Sequence, residues 1–424
     1  MEIPVMYRRF TMLTLAFALA MGFAIPTRAA DLRTEYGSRK VVRQVDYEFE
    51  EEVPETVIQY DDGGCDSCAG GNGCASCGCG LRIDAEYLLW FRRGSNVPVL
   101  ATSSLAGTAA NDNGILPGAP SVFGGSRLNR DAEPGGRITL GRFLDTANCW
   151  EAVGRFYALG DGSTRYFANE TTYPSGNLAI PVDRVFANGT EQHDARVIAF
   201  NDGVTQTISG DLGINMTNEV LGGDVFLRKR WLQNDCFHLD VLVGYQFGRI
   251  NDQLTIAGNT TAGFDWTDTF DTKNEYNALS VGLMGELTSG CWTMSFLTKF
   301  GFGDMDQTVA ISGISTSALS PNSGLFAQNA INTGTFQQTK SAFSPEVNVN
   351  FAYSINDNID LNFGASLIYW SSVLQAADHI DTGVDDRLIR DVPNPTPTPT
   401  RPTFQFRDQE FWVHGVNAGV TVHF

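Results

Sequence analysis

The strongest constraint on this chain is a period-two alternation of apolar and polar residues, repeated from residue 81 to the last residue. Phe237, Leu239, Val241, Val243, Tyr245 and Phe247 fall on one face, and His238, Asp240, Leu242, Gly244, Gln246 and Gly248 on the other. The same pattern runs through Ile83–Phe91, Trp292–Phe302 and Ile359–Tyr369. Side chains with period two belong to β-strands. About ten such strands are expected, near 81–93, 136–144, 149–160, 218–231, 236–250, 275–287, 291–303, 343–354, 358–370 and 413–424. Parts of 195–217 and 262–272 have the composition to extend strands or add a pair, giving twelve.

The connections are unequal. Asp145–Asn148, Gln233–Asp235, Thr288–Gly290 and Ile355–Asp357 are tight. Between them lie five stretches of about 25–55 residues that read as long loops. Short turns at one end and long loops at the other are the asymmetry of an outer-membrane barrel. Strands of about 9–14 residues suffice for a tilted span. A soluble β-sandwich also alternates, but its strands and connections are usually shorter and more even. The expectation is therefore all-β: an antiparallel, up-and-down transmembrane β-barrel with short periplasmic turns and long extracellular loops.

Charge placement agrees with that register. Asp84, Glu86, Glu151, Arg155, Asp224, Arg228, Asp240, Glu286, Lys299, Glu346 and Asp360 all fall on the face opposite the apolar one. A charge on the lipid face would cost about 2–4 kcal/mol at mid-membrane, so these eleven are expected to line the lumen. Beyond the N-terminus no apolar run reaches the length of a spanning helix. The net charge of −19 argues against a nucleic-acid partner, which calls for clustered Lys and Arg.

Before the barrel come two other segments. Arg8 and Arg9, an apolar run over Phe10–Ile25 and the small residues around Arg28 describe a signal peptide, residues 1–29. Residues 30–80 are acidic, then rich in glycine and cysteine, and read as a poorly ordered periplasmic segment. Cys65, Cys68, Cys74, Cys77 and Cys79 admit three readings: disulfides favoured by export, a metal site on Cys65, Cys68, Cys74 and Cys77, or a linker. The CxxC pairs stand closer together than in a zinc ribbon. Cys149, Cys236 and Cys291 each open a strand after a tight turn and are followed by an aromatic residue. They are small residues of a repeated hairpin, or thiols that pair with one another, with the cluster or with an envelope partner.

The last strand ends in Gly419-Val420-Thr421-Val422-His423-Phe424. Gly419, Val422 and Phe424 match the signal read by the barrel assembly machinery, whereas Ala418 departs from the polar residue usual there. Asp84-Ala85-Glu86-Tyr87-Leu88-Leu89-Trp90, Pro98-Val99-Leu100, Gly136–Asp145 and this terminal strand together resemble the beta-barrel protein-seven family of planctomycete-type bacteria. The resemblance covers about 81–424. It implies an outer-membrane barrel and supplies no catalytic or binding residues.

No motif for chemistry appears in a fitting context. The five histidines are His193, His238, His379, His414 and His423. His238 beside Asp240 reads as a lumen hydrogen bond. Neither an enzyme nor a cofactor is expected. Two roles remain: a structural or surface role carried by the loops, one of which holds a Pro393-x-Pro395-x-Pro397-x-Pro399 spacer, or a small passive-diffusion channel. Ten strands sit near the size at which side chains fill the interior. Paired lumen charges would favour a plug, and one-sided charge would favour conduction. Both termini are expected in the periplasm, with outer-membrane lipid as the surroundings.

Overall fold

The computed structural model describes residues 80–145, 148–234, 236–316, 322–389 and 398–424. The expected signal peptide, cysteine cluster and most of the proline spacer lie outside the described residues.

Ten strands form the barrel: β1 Leu81–Arg92, β2 Ala132–Phe143, β3 Trp150–Leu159, β4 Gly210–Gln233, β5 Phe237–Thr260, β6 Trp266–Ser289, β7 Trp292–Ser315, β8 Gly334–Asn356, β9 Ile359–Leu374 and β10 Asp408–His423. Every strand pairs antiparallel with its sequence neighbours, and β1 pairs with β10 to close the ring. Closure leaves no ladder edge in lipid, where an unpaired N–H or C=O would cost several kcal/mol.

The tight turns are built by side chains that satisfy the backbone. Asp145 accepts the N–H groups of Cys149 and Trp150, and Asn234 accepts those of Cys236 and Phe237. The carbonyls of Cys149, Cys236 and Cys291 accept from Arg230, Thr288 and Ser354 on the adjoining strands. Each cysteine therefore extends a ladder by one rung, and Trp150 and Trp292 after two of them face outward, 40% and 51% exposed. Cys291 is disulfide-bonded, whereas the exposed Cys236 is not.

The expected long loops are corrected by the lengths of β4–β8. Between β5 and β6 the stretch expected as a loop contracts to residues 261–265, and 210–217 extends β4. Outward residues Phe237 to Phe247 span about 25 Å of height at a tilt near 40°, one hydrocarbon thickness. Above Phe247 the outward residues of β5 become Arg249, Asn251, Gln253 and Thr255, while Ile250, Leu254 and Ile256 turn inward and are buried. Outside lipid, the apolar face must point inward. The alternation thus changes phase where the strand leaves the membrane.

The inward apolar residues of these extensions meet a folded cap. A small sheet made by Ala101–Thr102, Ser121–Phe123, Leu178–Val185, Glu191–Asn201 and Gln206–Ile208, joined by Gly383–Asp385, shares one buried cluster with the strand extensions. That cluster includes Leu178, Ile180, Ile198, Met216, Leu254, Phe270, Val309 and Phe326.

Candidate functional site

The interior of the barrel is stratified. Nearest the turn end, Arg228 pairs with Glu151, Asp240 at 3.2 Å and Glu286 at 3.0 Å. Arg230 also reaches Asp240, and Arg82 lies 3.6 Å from Asp84. His238 approaches Glu286 at 3.3 Å, nearer than Asp240 at 4.0 Å, so its main partner is across the strand pair. His423 meets Asp360 at 2.8 Å.

The next layer is drier. Arg155 bridges Asp224 and Glu346, and Lys299, wholly buried, pairs with the same two carboxylates. Arg137 makes two bonds to Glu86 and also reaches Asn348 and Ser366; Asn417 donates to Glu86. Arg137–Glu86, Arg155–Asp224 and Lys299–Glu346 join neighbouring strands, whereas Arg155–Glu346 and Lys299–Asp224 link strands that do not pair and so tie the walls together across the lumen. Two cations against two carboxylates in one buried site satisfy each other's charge. A buried charge stripped of its partner would cost about 3–5 kcal/mol.

Above the charges lies an apolar layer of Leu88, Trp90, Ile250, Tyr276, Met305, Trp370, Phe411 and Val413, each at most 1% exposed. A second polar layer follows: Arg92 donates to Asn218, and Asp252 accepts from Ser95 and from the Ala376 N–H. Asn274 exchanges bonds with Leu374. The segment 372–380 is thereby folded inward under the cap. Asp252 and Asp378 are both pushed up to about 6 by burial. Burial lowers His379 to about 4.

All eleven charges assigned to the lumen from sequence point inward in the structure. Sequence reasoning missed Arg82, Arg137 and Arg230 as their partners, and Asp252 and Asp378 altogether. Arg137 and Arg82 carried a usable signal, because each is in phase with an inward neighbour. His193 stands outside the barrel, on Asp183 at 2.7 Å. His414 faces outward and stacks on Phe91. At the terminus, Phe424 is 67% exposed. A Cβ on Gly419 would lie 2.2 Å from the Ala85 carbonyl and 2.8 Å from Glu86. That glycine admits the Glu86–Arg137 pair beside it.

These features define a class: a ten-stranded β-barrel with a lipid-facing belt, a filled lumen and a folded cap. The family model described as "Putative beta barrel porin-7 (BBP7)" matches residues 83–424, and the chain belongs to that family. It is an outer-membrane β-barrel of porin-like kin.

Similarity to solved structures is distant. The outer membrane protease OmpT from Escherichia coli is 9% identical, covering 81% of this chain and 97% of its own, with a TM-score of 0.41. A deletion mutant of the monoaromatic hydrocarbon channel TodX is 9% identical, covering 81% and 91%, with a TM-score of 0.23. None of the curated proteins matches.

Proposed function

We propose that this barrel is a closed anchor that holds a folded cap at the cell surface, a structural or envelope role rather than catalysis or conduction. One observation carries the reading: at lipid level the lumen is filled by compensated charges under an apolar layer whose residues are almost fully buried. Ions crossing it would have to displace Trp90 and Trp370 and break the Arg155–Glu346 and Lys299–Asp224 pairs.

In this reading the turns and both chain ends face the periplasm after Sec-type export, and the cap faces outward. The belt contacts outer-membrane lipid. Gly419, Val422 and Phe424 engage the barrel assembly machinery. The cysteine-rich segment is available for disulfide linkage to an envelope partner.

The test is single-channel recording of refolded protein in a planar bilayer, with heat-modifiable gel migration as proof of folding. A folded, silent barrel is the expected result. Reproducible steps would overturn the closed anchor and favour the second reading, a small diffusion channel, which the porin in the family's description supports. Recording again without residues 30–80 separates a plug in that segment from closure by the lumen itself.

A further inference from the structure

Nine carboxylates among the described residues are buried. Six of them, Glu86, Glu151, Asp224, Asp240, Glu346 and Asp385, have an Arg or Lys within ion-pair distance. Asp268 instead accepts three backbone N–H groups. Asp252 and Asp378 have neither solution.

Both sit around the inward-folded segment above the Trp90 and Trp370 layer. Asp252 Oδ2 holds the Ala376 N–H at 2.9 Å and Ser95 at 3.3 Å, and the Asn218 side chain lies beside the carboxylate, but its Oδ1 is buried with no well-formed hydrogen bond. Asp378 Oδ1 accepts from Gln409 at 2.7 Å, and its Oδ2 is likewise orphaned. The neighbouring arginines are committed elsewhere: Arg92 to Glu133 at 3.1 Å and Arg93 to Glu410 at 2.8 Å. Arg407, which also acts on Asp378, is exposed. Those two arginines and two glutamates pair with each other, so among the described residues Asp252 and Asp378 feel Arg92, Arg93 and Arg407 only from beyond ion-pair distance. A second observation points the same way. Gln375, 2% exposed and adjacent to Ala376, has neither side-chain amide atom satisfied. Orphaned groups of this kind in a dry layer are rare in folded proteins, and an unpaired buried charge demands a counter-ion.

We propose that this layer binds one hard divalent cation of the calcium class, held by Asp252 Oδ1, Asp378 Oδ2 and the Gln375 side-chain oxygen. Two carboxylates match the ion's charge. All-oxygen donors match its hardness, and calcium accepts the irregular, water-completed coordination such a set gives. The bound ion would pin the inward segment 374–380 beneath the cap. This proposal stands whether the barrel is an anchor or a channel.

The test uses the full chain refolded in detergent, stripped with EDTA and titrated with calcium chloride at neutral pH. One ion per chain is expected by calorimetry, with a rise of several degrees in the unfolding midpoint. Asp252→Asn with Asp378→Asn should weaken binding by roughly tenfold or more, whereas Asp268→Asn should leave it unchanged. Should the double variant not fold, hydrogen exchange of the wild type decides: calcium must protect residues 374–380. Three results would each overturn the proposal: no calcium effect on the wild type, binding retained in the folded double variant, or protection confined to the outer face.

Discussion

Asp268 offers a sharp test of how the cap is held. It lies on β6 above the membrane, wholly buried, and accepts the N–H groups of Leu325, Phe326 and Ala327 at 3.1, 3.1 and 2.9 Å. Burial pushes its carboxyl up to about 7 from an ordinary 3.8, against the pull of those three donors. A raised acid binds its proton more tightly in the docked state than when the loop is released into water. Docking is therefore strongest in acid and weakens as pH rises from about 4 to about 7. The shift corresponds to about 4 kcal/mol, near a thousandfold change in the opening equilibrium. Hydrogen exchange of residues 322–333, corrected for its intrinsic pH dependence, reads that equilibrium directly. Protection should fall by about three decades between pH 4 and pH 8. Asp268→Asn, neutral throughout, should give a flat profile. Asp268→Ala removes the acceptor for three buried donors, at about 1–3 kcal/mol each, and should release the loop at every pH. Protection that is constant or rises with pH in the wild type, or the same slope in Asp268→Asn, would refute the reasoning.

Other predictions concern the barrel. Arg155→Ala leaves Asp224 and Glu346 short of a cation and should destabilise the barrel by about 3–5 kcal/mol, seen as a lower midpoint for loss of heat-modifiable migration. Adding Glu346→Gln to Arg155→Ala should recover part of that loss. Gly419→Val forces a side chain into the Ala85 carbonyl and should reduce the folded fraction after refolding. Phe424→Ala should slow insertion in cells while leaving the midpoint of refolded protein nearly unchanged, because that ring is largely exposed; an equal loss in both assays would mark it as a packing residue instead.

How much was legible follows from what each signal depends on. The lipid-level parts of β1, β5, β7 and β9 could be read directly, since lipid demands an apolar outer face and the lumen tolerates charge. The register was legible for the same reason: a slip of one residue would place Asp224 or Lys299 in lipid. The upper halves of β4–β8 were not. Their outer faces are polar and their inner faces mix Ile250 and Leu254 with Asp252, so a search for continuous alternation stops at the membrane boundary. The change of phase at Gly248–Ile250 was present in the sequence, but its meaning depends on knowing that a buried cap waits above.

Local sequence thus determined the lipid-level strands, their facing, the tight turns and a ring of about ten, because each rests on spacing along one strand or on the solvent that strand meets. Tertiary structure decided the partners. Arg155 and Glu346 are 191 residues apart, and Asp252 meets Ala376 across 124. Whether a charge is cancelled, capped by backbone or left wanting an ion depends on which strands close opposite one another and how the cap folds in. Alternation records only which way a side chain points; what it meets there is a property of the closed barrel.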